Sequence, residues 1–201
     1  MTTVARPYHH GNLREALLRA GEQALETAGA QNLSLRELAR EVGVSHAAPR
    51  RHFPDKQALL DALAQNGLEQ LGTILTTAIA DAGPDFDARL LGLARAYVAY
   101  ATEHPALVEL MFASKHQAGA PAELLEASEL AFAPALGAVA DGQAAGAIVG
   151  GDPHRVTIVA FAALQGLVAL ANNGMLGDEP LDDLLQDAVQ RLLLGLRPRR
   201  H

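Results

Sequence analysis

Apolar residues three and four apart, interrupted at intervals by glycine and proline, recur through almost the whole chain, and few folds accept that pattern. In "LDDLLQDAVQRLLLGL" the residues Leu181, Leu184, Leu185, Ala188, Val189, Leu192, Leu193 and Leu196 fall on one broad face of a helix. Sustained alternation of apolar and polar residues, the mark of a half-buried strand, is missing, and aromatic residues make up only 4% of the chain. The expectation is an all-α fold of about nine helices. Breaks fall at Gly83-Pro84, His104-Pro105, Gly119 to Pro121, Gly150 to Pro153 and Gly177 to Pro180. No internal repeat or low-complexity tract interrupts the pattern.

Composition narrows the chemistry. An apolar share of 49% over 201 residues is enough for a folded core, with a mean hydropathy of +0.08. The absence of cysteine excludes a disulfide framework, a thiolate nucleophile and a cysteine-ligated zinc site. The opening "MTTVARPYHHGN" has no apolar stretch of the secretory kind, so a cytoplasmic location is expected. The longest apolar run, "VTIVAFAALQGLVALA", carries Thr157 and Gln165 and is shorter than the roughly 20 residues of a membrane span, so a fully buried helix is expected there. The net charge of −7 is unevenly spread. Residues 1 to 56 hold eight Lys and Arg against six Asp and Glu, and the remainder holds eight against seventeen. A weakly basic head on an acidic body suggests two domains with different partners, residues 1–54 and 55–201.

The head carries the sharpest local signal. A first helix is expected to start at Asn12, capped with the help of Glu15, and to stop at Gly29. Ser34 and Glu37 repeat the device for a second helix that buries Leu35, Leu38, Ala39 and Val42. Gly43 then supplies a left-handed turn, and Ser45 is positioned to cap a third helix almost at once. Ala39 is small where two helices must cross closely, and Leu38, Val42 and Val44 form an apolar wedge between them. This is the helix-turn-helix pattern, whose second helix enters the major groove of DNA; a plain helical corner has the same spacing. With Ser45 as the cap, Pro49 falls at the fourth helical position and deletes the first intrahelical hydrogen bond; a start one residue later leaves it within the tolerant first turn, and that later start is expected. A long helix from about Asp55 to Asp81 follows.

The segments "YHHGNLREALLRAGEQALETAG" and "LSLRELAREVGVSHAAPRRHFPDKQALLDAL" resemble the N-terminal DNA-binding domain of the TetR family of transcriptional regulators. The resemblance runs over residues 8 to 64 and includes the glycine-valine-serine turn at Gly43, the His52-Phe53 pair and Lys56. "YHHGNLR" and "GVSHAAP" are further similar to a subgroup whose C-terminal domain has a Trp-His-Gly motif, a place taken here by Leu164-Gln165-Gly166. Arg50 stands where the family usually has a phosphate-contacting tyrosine; a guanidinium can make that contact with two hydrogen bonds. The resemblance implies operator binding as a homodimer and a C-terminal domain for dimerisation and a small-molecule effector.

On that reading His46, Ala47 and Ala48 meet base edges, since an imidazole can donate or accept there and a methyl group can touch that of thymine. Ser34, Ser45, Arg50, Arg51, His52 and Lys56 complete the DNA-contacting set, mainly at phosphates, and Arg6 can reach a minor groove. Leu181, Leu184, Leu185, Ala188, Leu192 and Leu193 form a candidate dimer face, which with the apolar helix over 154–173 would make half of a four-helix interface; burial within the monomer is the alternative. Tyr97, Tyr100, His104 and Met111, with Phe112, His116, Phe132 and Gln165, are candidates for a mostly apolar pocket. His104 and His116 lack a placed carboxylate, so no metal site is expected, nor any cofactor. The competing class is an all-helical carrier or enzyme with a structural corner at Gly43. An enzyme needs a nucleophile, base and orienter, or a metal with three ligands, and no such constellation is legible.

Overall fold

The computed structural model describes residues 13–198. These form eight α-helices and one 3-10 turn, with no strand among the described residues: α1 (Leu13–Asn32), α2 (Leu35–Val42), the 3-10 turn Pro49–Arg51, α3 (Lys56–Asp81), α4 (Phe86–Glu103), α5 (Pro105–Lys115), α6 (Ala122–Ala144), α7 (Pro153–Asn172) and α8 (Leu181–Leu196). The expectations for Asn12 and Arg6 lie outside the described residues. By its contacts the chain divides into two units. One holds the described residues through Gln65 with Ala106–Leu124, and the other holds Asn66–Pro105 with Leu125 onward.

In the first unit α1 presents Leu17, Leu18 and Leu25 to a core shared with Leu38, Phe53, Leu59 and Leu63. Its regular turns end at Gly29, whose φ of 77° and ψ of 161° are unlike any helix and suit a residue without Cβ. The start of α2 departs from the expected capping box, because the Ser34 side chain makes no cap hydrogen bond. Leu33 and Leu38, both buried, instead occupy the two positions of a hydrophobic staple, which sets the entry angle of the chain. At the other end Gly43 sits at φ 76°, ψ 31°. Its N–H reaches Arg40 O at 3.2 Å and that of Val44 reaches Ala39 O at 2.9 Å, the paired bonds of a Schellman ending. From α5 this unit gains the buried Leu107, Leu110 and Met111.

In the second unit α4, α7 and α8 pack on one another. Asp85 caps α4 by accepting from Ala88 N at 2.8 Å, and Asp152 caps α7 through His154 N at 3.0 Å. Two ion pairs tie α4 to the two ends of the last helix: Arg95 with Asp182 at 2.7 Å, and Arg197 with Asp87 at 2.6 Å. Such solvated pairs add little stability but fix how the two helices align. Where α3 and α6 cross, a Cβ on Gly72 would lie 3.1 Å from Ala131 Cα, tighter than an ordinary contact, so a larger residue would press the two helices apart by a few tenths of an ångström.

One expectation is corrected here. α7 is not a fully buried helix: of its residues only Val168 is buried, while Ile158 is 52% and Val159 63% exposed. The helix is apolar all round but is packed on one side, against α4 and α8. By length and composition alone α7 is also the one described helix that meets the requirements of a membrane span.

Candidate functional site

Beyond Gly43 the chain does not rise into the expected α-helix. Ala48 N donates to Ser45 O at 2.9 Å, Arg51 N to Ala48 O at 3.2 Å and His52 N to Pro49 O at 2.9 Å, so the segment is coiled by i to i+3 bonds. Ser45 is therefore not an α-helix cap. Pro49 has no N–H to offer Ser45 O, and Pro54 biases Phe53 away from helical backbone angles, so the two prolines bound a stretch with a single i to i+4 bond and no continuing α-helix. The segment is nevertheless well anchored. Pro49 and Phe53 are buried, and Phe53 N donates to Pro49 O at 2.9 Å.

This anchoring leaves the polar side chains outward. Ser45, His46 and Ala47 are exposed, as are Arg50, Arg51 and His52, while Ala48 and Ser34 are half-buried. The Lys56 ammonium donates to Gln31 O at 2.6 Å, just beyond the break at Gly29. Two sets of cations escaped the sequence reading. Arg14 lies 5.7 Å over the Phe53 ring, which puts a guanidinium beside the His52-Phe53 pair. Arg36 and Arg40 are exposed on α2, and their spacing of one helical turn was the available signal.

The second unit contains a cavity of about 100 Å³ walled by α3, α4, α6, α7 and α8. Three aromatic rings meet on it edge to face, Phe161 lying 5.1 Å from Tyr97 and 5.2 Å from Phe132. The Tyr97 hydroxyl donates to the Gln165 side-chain oxygen, and burial pushes the Tyr97 phenol well above its ordinary pKa. Thr157 also lines the cavity, but its hydroxyl donates to Pro153 O at 2.8 Å within its own helix. The remaining lining side chains are aliphatic, among them Leu93, Ile148 and Leu193.

Residues 17–63 match the family model of bacterial regulatory proteins, tetR family, and residues 90–194, just over half of the chain, match that of the tetracyclin repressor-like C-terminal domain. The chain belongs to the TetR family. The TetR chain is also similar to nucleoid occlusion factor SlmA of Pectobacterium carotovorum subsp. carotovorum (strain PC1), 35% identical over 101 residues, which is 50% of each protein. It thus spans about half the length of the curated relatives it matches. Among solved structures, a protein with unknown function from Rhodococcus sp. RHA1 is 44% identical, with a TM-score of 0.90 over 96% of this chain and 100% of that one. A TetR family transcription regulator from Marinobacter aquaeolei VT8, 21% identical, shares the fold with a TM-score of 0.76 over 94% and 97% of the two chains.

Within this TetR fold the candidate pocket residues separate. Tyr97 and Phe132 line the cavity, and Gln165 reaches it through Tyr97. Tyr100 instead donates to Gly67 O at 3.0 Å in the packed interior, and His104 ends α4 with its ring 5.0 Å from that of Tyr100. Met111, Phe112 and His116 belong to the first unit, where Met111 is core and the Phe112 ring lies 4.9 Å from the Lys115 ammonium. Phe161 and the aliphatic walls carry no residue type that marks them in the sequence as pocket lining. The candidate dimer face also divides. Leu185 and Leu193 are already buried within the single chain, at 2% and 7%, so they pack inward. Leu181, Leu184, Ala188 and Leu192 are half-buried, and the outward apolar surface is carried by Leu194 with Ile158 and Val159.

Proposed function

We propose that the chain acts in the cytoplasm as a homodimeric, operator-binding repressor whose DNA affinity is set by a small-molecule effector. The observation that carries this reading is the anchored turn after Gly43, which presents His46, Ala47, Arg50, Arg51 and His52 outward from a buried Pro49 and Phe53. His46 and Ala47 have the chemistry for base edges, and the arginines with Ser45 have that for phosphates. Arg14, Arg36 and Arg40 add to the cationic surface. Lys56 gives one of its three ammonium donors to Gln31 O, which leaves the others for a phosphate.

The outward Ile158, Val159 and Leu194 support dimerisation through α7 and α8, because an apolar surface of this kind is stable only when covered. A two-fold dimer imposes two-fold symmetry on its site, with half-sites about one helical turn apart or a multiple of it. The cavity of the second unit supports the effector; a ligand that binds one dimer conformation better than another shifts the population that fits DNA. Family and fold point to a regulator rather than an enzyme. Selection of bound fragments from a random duplex library at low salt tests the reading. A partly palindromic enriched sequence is expected, and no enrichment overturns it.

A further inference from the structure

The cavity in the second unit has no acidic, basic or histidine side chain on its lining. Its only polar groups are the Tyr97 hydroxyl, already donating to Gln165, and the Thr157 hydroxyl, already donating to Pro153 O. An ion placed there would lose its hydration and gain no counter-charge, a cost that normally forces neutralisation or excludes the ligand. A neutral molecule loses little, and the Tyr97 oxygen keeps lone pairs that can accept one hydrogen bond. At about 100 Å³ the space is on the scale of a single ring or a short branched alkyl group. The edge-to-face rings of Tyr97, Phe161 and Phe132 offer a wall that suits a flat hydrocarbon.

We infer that this cavity takes a small uncharged effector that is largely hydrocarbon, about one ring in size, with at most one hydrogen-bond donor directed at Tyr97. The inference rests on the proposed effector control and names its chemical class. Arg155 and Arg191 do not line this cavity; they border a separate surface groove that shares Val156, Ala160, Leu192 and Leu196 with its wall. Arg191 there is paired with Asp187 at 3.0 Å.

The test uses the full chain and four probes of similar size at neutral pH: toluene, phenol, benzoate and benzylammonium. Calorimetric titration should detect toluene and phenol, with benzoate and benzylammonium weaker by more than roughly tenfold. Ala160→Phe, which adds a ring to the lining, should abolish toluene binding, and thermal unfolding checks that this variant is folded. In Leu93→Ala, which enlarges the space, naphthalene should bind where the parent chain excludes it. Benzoate binding as tightly as phenol, with loss in Arg155→Ala, overturns the inference in favour of an amphipathic anion at the groove. Undetectable binding of both neutral probes by the unaltered chain also overturns it. Operator binding without any probe is measured in parallel and is independent. If the selected duplex binds but no neutral probe does, the effector class falls and the regulator stands; if probes bind but no duplex is enriched, the regulator falls and the cavity chemistry stands.

Discussion

The Glu26 carboxylate on α1 accepts from the backbone N–H groups of Leu107 at 2.9 Å and Ala106 at 3.1 Å, so a side chain of the first helix caps the fifth. The first turn of a helix has N–H groups without partners and carries the positive end of its dipole, and this carboxylate answers both. Glu26→Ala should lower stability by about 1–2 kcal/mol, and Glu26→Gln, which keeps one acceptor oxygen, by less. Urea denaturation of both variants checks this, and an unchanged midpoint for the alanine variant contradicts the capping role.

Positioning and readout should separate at the turn after Gly43. Arg50→Ala removes a phosphate contact and should weaken binding to all sequences alike, flattening the salt dependence by about one unit per half-site. His46→Ala should instead change the preference at one base position by roughly 1–3 kcal/mol. Binding isotherms on the selected site and single-base variants at several salt concentrations decide between them. An Arg50→Ala effect confined to one base position would reverse the two roles.

Leu194 is 75% exposed, the most exposed of the large apolar side chains described. Leu194→Asp should therefore leave the folded monomer intact while placing a charge in the proposed interface. Sedimentation with a labelled operator is expected to give monomers that have lost specific binding, although every DNA-contacting side chain remains. A dimer of parental affinity argues for a different interface.

Burial raises the Tyr97 phenol above its ordinary value of 10.0. The folded chain thus keeps a proton that the unfolded chain releases, and no difference exists while both are neutral. Stability should fall as pH rises above the unfolded value, with this residue adding a slope of at most ~1.4 kcal/mol per pH unit. Tyr97→Phe removes the proton and should give a shallower alkaline decline in urea midpoints, apart from a constant offset for the lost bond to Gln165. Parallel declines would contradict the assignment.

Several features were legible because they depend on near neighbours in the chain. The period of Leu35, Leu38 and Ala39 marks a helix wherever it is placed, and Gly43 ends it because only glycine takes φ 76° without strain. Pro49 limits the segment more than its tolerance in a first helical turn implies. Pro54 restricts the segment from the other side, and together the two prolines leave a 3-10 turn in place of a recognition helix. Ser34 met the local rule for a cap, yet buried Leu33 and Leu38 set the helix start.

Helical period, left-handed glycine and the missing proline N–H act within a few residues, so the all-α class, the helix breaks and the turn at Gly43 follow from residue order alone, and the resemblance of residues 8 to 64 carried the family. Tertiary structure alone decided which side of each apolar helix is covered. Within the broad apolar face of α8, nothing in the order of residues says that Leu185 and Leu193 are buried by the chain itself while Leu181, Leu184 and Leu192 stay half-buried. It also decided that Lys56 meets Gln31, that Arg14 meets Phe53, and that Tyr97, Phe132 and Phe161 share one cavity. Hydrophobic burial has no direction of its own, so these partners are fixed only when distant segments pack together.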